Sequence, residues 1–117
     1  MSWDIELVCP ECGRPVIVDR HAEGGTYAIG GIKEADLNIT YNYSKHYYRC
    51  LNSENGLRFL NGKQAKDTIK DLESAVKLLG TKNDSDYWEA TAGNAGYALS
   101  ILLKWAKQYP NAVWKVI

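Results

Sequence analysis

Cys9 and Cys12 stand three positions apart in the run C-P-E-C-G. Two thiolates at that spacing on a Pro/Gly turn can grip one tetrahedral zinc ion. The turn holds both sulfurs on one side, and Gly13 lets backbone amides point at them. A zinc ribbon needs a second pair, and the chain has no second C-x-x-C. The best completion is His46 with Cys50, four positions apart and so on one face of a helix. Cys9, Cys12, His46 and Cys50 would then form a structural Cys3His zinc site, with His21 as the spare ligand. The competing reading has Cys9 and Cys12 as free thiols in a tight turn and Cys50 as a small buried hydrophobe. A redox C-x-x-C sits at a helix N-terminus in a βαβ pattern. This one lies between short strands, so redox catalysis is not expected.

The second constellation is Asn38, Thr40 and Asn42, alternating with Ile39, Tyr41 and Tyr43 and followed by Tyr47 and Tyr48. Asn is a poor strand former. Two of them among aromatics read as amide and hydroxyl groups held for hydrogen bonding. Aromatic walls with a few fixed polar groups are the usual make-up of a small-ligand pocket. The competing reading is a network that ties a strand to its neighbours, with tyrosines filling core.

The third is A-T-A-G-N-A-G at residues 90–96. Gly93 and Gly96 each cost about 1 kcal/mol relative to Ala inside a helix. Either the backbone there packs closely against another element, or it leaves a notch lined by Asn94 and Trp88.

Other chemistries lack their residues. Gly24-Gly25 and Gly30-Gly31 form neither a phosphate-binding loop nor a dinucleotide fingerprint. No G-x-S-x-G elbow is present. His21 and His46 are the only histidines, and neither has an obvious nucleophile beside it. The expectation is a protein that is not an enzyme.

The elements that must position these groups follow from periodicity. Residues 3–8 alternate apolar Trp3, Ile5 and Leu7 with Asp4 and Glu6, which predicts a strand. With residues 16–19 it is expected to form a hairpin across the cysteine turn. Residues 26–29 read as a brief third strand and 36–43 as the longest. Ser44 is placed to cap a two-turn helix over 45–51. A stripe of Ala65, Ile69, Leu72, Val76 and Leu79 predicts a helix over 62–79 that Gly80 stops. A second stripe, Trp88, Ala92, Ala95, Leu99, Leu102, Ala106 and Tyr109, predicts a helix over 86–109 ended by Pro110. Ser85 or Asp86 would cap it, with Glu89 in its first turn. Residues 112–117 read as a final strand or packed tail. The fold class expected is α+β: a small antiparallel sheet from the N-terminal half packed on an antiparallel helical hairpin from the C-terminal half. Residues 1–117 read as one domain.

Composition narrows the partners. Fourteen basic and fourteen acidic residues cancel, where a nucleic-acid binder normally shows a basic excess. Near-zero charge favours self-association, so a homo-oligomer is consistent with it. No apolar run approaches the roughly 18 residues of a membrane span. The start lacks a signal peptide's basic and apolar regions. Three cysteines make a poor disulfide framework, and a reducing cytoplasm is the expected compartment.

The runs N-I-T-Y-N-Y-S at 38–44, G-G-T-Y-A at 24–28 and Y-W-E-A-T-A-G-N-A at 87–95 resemble a group of short uncharacterised bacteriophage and prophage proteins. The resemblance covers most of the chain, from about Trp3 to Trp114. The cysteine pair is not a general feature of that group, so a fold shared with it would not depend on zinc. What the resemblance implies is a phage or prophage accessory protein in the host cytosol. Such proteins often occlude a host protein or sequester a small signalling molecule, a counter-defence role.

Together these readings give a non-enzymatic binding protein. Asn38, Thr40, Tyr41, Asn42 and Tyr43, with Trp88 and Asn94, would hold a small nucleotide-like ligand. Tyr and Trp would stack on a base while Asn and Thr bond its edges. The alternative is a protein-interaction module that presents the same aromatics to a host protein, with or without structural zinc.

Overall fold

The computed structural model describes residues 2–21 (without the side chains of 20 and 21), 32–82 and 89–117. Strand β1, Ser2–Val8, is the centre of a three-stranded antiparallel sheet. Its alternation decides this role: Trp3, Ile5 and Leu7 are buried while Asp4 is exposed. Strand β4, Asp36–Thr40, pairs along one edge, with Trp3 opposite Ile39 and Ile5 opposite Leu37. Strand β5, Val113–Val116, takes the other edge, with Leu7 opposite Trp114. The inner face is thus almost wholly aliphatic and aromatic, the arrangement that lets one face of an antiparallel sheet pack on helices.

The expected hairpin over residues 3–19 is corrected. Both edges of β1 are filled by β4 and β5, so the chain after the cysteine turn keeps only a single bridge, Val8 to Pro15. It then runs off as β2, Ile17–His21, which pairs with β3, Ile32–Glu34, in a separate two-stranded sheet. The strand expected over 26–29 lies outside the described residues.

Among the described residues three α-helices follow: α1 (Ser44–Cys50), α2 (Ile69–Leu79) and α3 (Ala92–Gln108). The strand predicted to reach Tyr43 stops at Thr40, and Tyr41–Tyr43 is a 3-10 turn leading straight into α1. Thr40 is the cause: its hydroxyl accepts the Asn42 amide at 3.2 Å and turns the backbone. Ser44 is the first residue of α1, not its cap, and its hydroxyl donates to the Tyr41 carbonyl at 2.5 Å.

The helix expected from 62 begins only at Ile69, after a 3-10 turn over Ala65–Thr68. The backbone ahead of it is committed elsewhere. Gly62 donates to Trp114, Trp114 donates to Lys63, and Ala65 donates to Ala112, at 2.8–2.9 Å. This segment covers the outer edge of β5, and a residue bonded to a strand edge cannot also bond four residues back. Below it, the indole of Trp114 donates to Thr68 Oγ1 at 2.9 Å, and that hydroxyl donates to the Ala65 carbonyl at 2.8 Å.

Helices α2 and α3 pack as the antiparallel hairpin the stripes predict. Leu72, Ala75 and Leu79 of α2 are buried, as are Ala95, Leu99, Leu102 and Ala106 of α3. Gly80 ends α2 with φ +78°. The start of α3 is later than expected. Thr91 caps it, its hydroxyl accepting the Asn94 amide at 3.1 Å, and Glu89 lies before the helix rather than in its first turn. The expected caps Ser85 and Asp86 fall outside the described residues. Gly93 and Gly96 answer the question raised by their cost. A Cβ on Gly96 would sit 1.8 Å from the Gly80 carbonyl oxygen, and one on Gly93 would sit 1.9 Å from that of Lys82. Backbone-to-backbone packing, not a notch, is what these glycines allow. Among the described residues, no helix is long and apolar enough to cross a membrane.

Candidate functional site

A cavity of about 250 Å³ opens where the start of β1 meets α1 and the loop that follows it. Trp3, Tyr41, Ser44, Tyr48, Asn55 and Arg58 line it. Each reaches it for a local reason. Trp3 is on the inward face of β1, and its ring meets Tyr41 edge-on at 4.7 Å between centroids and Tyr47 at 5.8 Å. The 3-10 turn carries Tyr41 beside Trp3. Ser44 and Tyr48, four apart, share one face of α1. The Asn52 side chain accepts the amides of Glu54 and Asn55, at 3.0 and 2.8 Å, and so shapes the loop that presents Asn55. Gly56 then turns at φ +55°, which places Arg58 in a short 3-10 segment, Gly56–Leu60.

Of the described residues expected to bind a ligand, Tyr41 alone lines this cavity. Asn38 faces Asp4 across the β1–β4 ladder and donates to Ser2 Oγ at 2.7 Å and Asp4 Oδ1 at 2.9 Å. Thr40 is buried and spent on the turn. Asn42 is exposed on that turn. Tyr43 is fully buried, meeting Tyr47 at 6.2 Å. Asn94 is buried in the first turn of α3, its amide donating to the Glu89 carbonyl at 3.0 Å. Trp88 lies outside the described residues. The strand that was read as a recognition surface is therefore mostly structural. Trp3, Ser44, Tyr48, Asn55 and Arg58 were missed as a set, because they come from separate segments that only the fold joins.

The cysteine turn is a second feature, beside the C-terminal end of α3. Cys9 donates its amide to the Arg14 carbonyl and Gly13 donates to the Cys9 carbonyl, both at 2.9 Å, with Gly13 at φ +71°. This closed loop aims the amides of Cys12 and Glu11 at the Cys9 sulfur, and the Cys12 thiol bonds it as well. Those three donors hold the Cys9 thiol below its ordinary range, against partial burial and the nearby Glu11 carboxylate, which push the other way. Beside Cys9 runs a cavity of about 450 Å³, lined also by Pro10, Val16 and the chain from Gln108 to Ala112.

The four residues expected to share a zinc ion are not assembled. Cys9 stands beside the C-terminal end of α3. His46 Nε2 bonds the Ala90 carbonyl at 2.9 Å, just before the start of that helix. Those two ends are separated by 17 residues of α-helix, roughly 25 Å at 1.5 Å per residue. Cys50 is half-buried and packs against the core. Among the described residues, no three His, Cys, Asp or Glu side chains gather closely enough to hold a metal. The side chain of the spare ligand His21 is outside the described set. A carbonyl can only accept, so His46 donates from Nε2. Its Nδ1 is buried with no hydrogen-bond partner among the described residues.

No family model matches the chain, and no curated protein or solved structure is significantly similar to it.

Proposed function

We propose that the chain is a non-enzymatic binding protein for a small nucleotide-like ligand, and that the Trp3–Tyr48 cavity is where the ligand sits. The observation that carries this reading is the lining itself: three aromatic side chains with one guanidinium, one carboxamide and one serine hydroxyl. A base stacked on an aromatic ring gains about 1–3 kcal/mol. Arg58 is exposed at the rim, and its fork-shaped guanidinium matches a phosphate. Asn55 and Ser44 can bond a base edge or a sugar. A volume of about 250 Å³ is small for a ligand pocket, below the usual range of about 300–1,000 Å³. It suits a mononucleotide or part of a larger one. In the setting the phage resemblance implies, the role would be sequestration of a host signal.

The test is calorimetric titration of the purified chain with adenosine 5′-monophosphate, adenosine and ribose 5-phosphate. The monophosphate is expected to bind more tightly than either fragment. Tyr48→Ala and Arg58→Ala should each weaken it at least tenfold with little change in melting temperature. Absence of binding to all three, or binding that ignores both substitutions, overturns the reading.

A further inference from the structure

The cavity lined by Trp3 and Arg58 is graded in depth. On its inner side stand Trp3, only 5% exposed, and the half-buried Tyr41 and Ser44. Tyr48, Asn55 and Arg58 are exposed and form the rim. A nucleotide held there turns its base inward to the rings and its phosphate outward to Arg58. Ser44 then stands on the base side, and its hydroxyl proton is already assigned. The hydroxyl donates to the Tyr41 carbonyl at 2.5 Å, the same carbonyl that accepts the Ser44 main-chain amide. A carbonyl only accepts, and a serine hydroxyl has one proton and two acceptor lone pairs. With that proton committed, Ser44 offers the cavity its lone pairs alone. The tyrosine hydroxyls and the Asn55 carboxamide can take either role, so they do not discriminate.

We propose that Ser44 is a fixed hydrogen-bond acceptor that selects nucleotides whose base carries an exocyclic amino group in place of a carbonyl: adenine over hypoxanthine, cytosine over uracil. The proposal rests on the reading of this cavity as a nucleotide site. An amino N–H meeting the Ser44 lone pairs leaves the bond to Tyr41 intact. A base carbonyl in the same place sets acceptor against acceptor. To receive it, the hydroxyl would have to rotate off the Tyr41 carbonyl and exchange one hydrogen bond for another. A base with neither group leaves the Ser44 lone pairs cut off from water and unpaired. That loss is the physical basis on which a site built around a hydrogen bond rejects the analogue lacking its partner.

The experiment is calorimetric titration of the full chain with the 5′-monophosphates of adenosine, inosine and purine riboside, the last bearing hydrogen where adenine has its amino group. Adenosine 5′-monophosphate is expected to bind about tenfold more tightly than the purine riboside compound, the worth of one hydrogen bond. The inosine compound should bind no better than the purine riboside one, and cytidine 5′-monophosphate should be preferred to its uridine counterpart. Ser44→Ala should make the three purine affinities nearly equal. Ser44→Cys, whose sulfur is a weak acceptor, gives the same comparison should the alanine variant not fold. Equal wild-type affinities that all fall in Arg58→Ala overturn this proposal and leave the nucleotide site standing. A preference for the amino base that survives both Ser44 variants also overturns it. Absence of binding to all five compounds overturns both readings.

Discussion

The ring of Tyr48 lies directly on Gly56: a Cβ built on that glycine would come within 3.3 Å of Tyr48 Cε2 and 3.4 Å of Cζ. Gly56 also adopts φ +55°, a left-handed conformation that other residues enter at some cost. One residue thus sets both the turn that delivers Arg58 and the position of the aromatic wall facing Trp3.

Gly56→Ala is expected to lower stability by about 1–2 kcal/mol through the left-handed backbone alone. It should also weaken binding of adenosine 5′-monophosphate by displacing the Tyr48 ring. Urea denaturation and calorimetry measure the two effects separately. A variant that loses stability but binds normally would mean that the ring position does not matter to the site.

Gly96→Ala should behave opposite to its helix propensity. In an exposed helix the change would gain about 1 kcal/mol. Here the new methyl would overlap the Gly80 carbonyl oxygen, and Gly80 ends the partner helix. Overpacking typically costs about 1–3 kcal/mol, and an overlap with backbone, which cannot rotate away, lies at or above that range. A fall in the urea midpoint is expected. A rise would mean that α2 and α3 can part at this point without loss.

Thr68→Val keeps the shape but removes the hydroxyl between Trp114 and Ala65. The buried indole N–H would then lack its acceptor, at a cost of about 1–3 kcal/mol. Thr68→Ser should retain most of the stability. Equal loss in both variants would assign the effect to packing.

Cys9 should titrate below the ordinary thiol value of 9.0 in the folded chain. The pH profile of its iodoacetamide alkylation, followed by mass spectrometry with a chelator present, should shift upward when urea unfolds the protein. Because folding lowers this pKa, the thiolate's contribution to stability is complete above the unfolded value. It disappears as pH falls through the folded one. Unfolding midpoints of the wild type and of Cys9→Ser should therefore converge toward acid and separate toward alkali. Parallel curves would remove the turn amides as a cause.

Much of this architecture was legible in the sequence where the pattern is local. The alternation of Trp3, Ile5 and Leu7 announces β1, and the stripes of α2 and α3 announce the helical hairpin. What could not be read depends on distant backbone. The delayed start of α2 comes from Gly62–Ala65 lying along β5. The failure of β1 to pair with β2 comes from β4, which occupies the edge that the hairpin would need. The site followed the same rule. Tyr41, which lines the cavity, sits in an obvious aromatic run. Asn38 and Asn94 were misjudged because an amide that ties a ladder or a helix start looks, in one dimension, like one waiting for a ligand. Trp3 and Arg58 carry no local sign that they meet.

Strand β1 is the first strand of the chain and β5 is the last, and they are bonded side by side, Asp4 and Ile117 exchanging amide and carbonyl at 3.1 and 2.9 Å. During synthesis the central strand therefore waits with one edge open until residues 113–116 have been made. Contacts so remote in sequence slow folding, since the loop must close before they form. On the ribosome, the sheet that carries Trp3 to its cavity can be completed only after β5 has emerged, a few residues behind the end of α3.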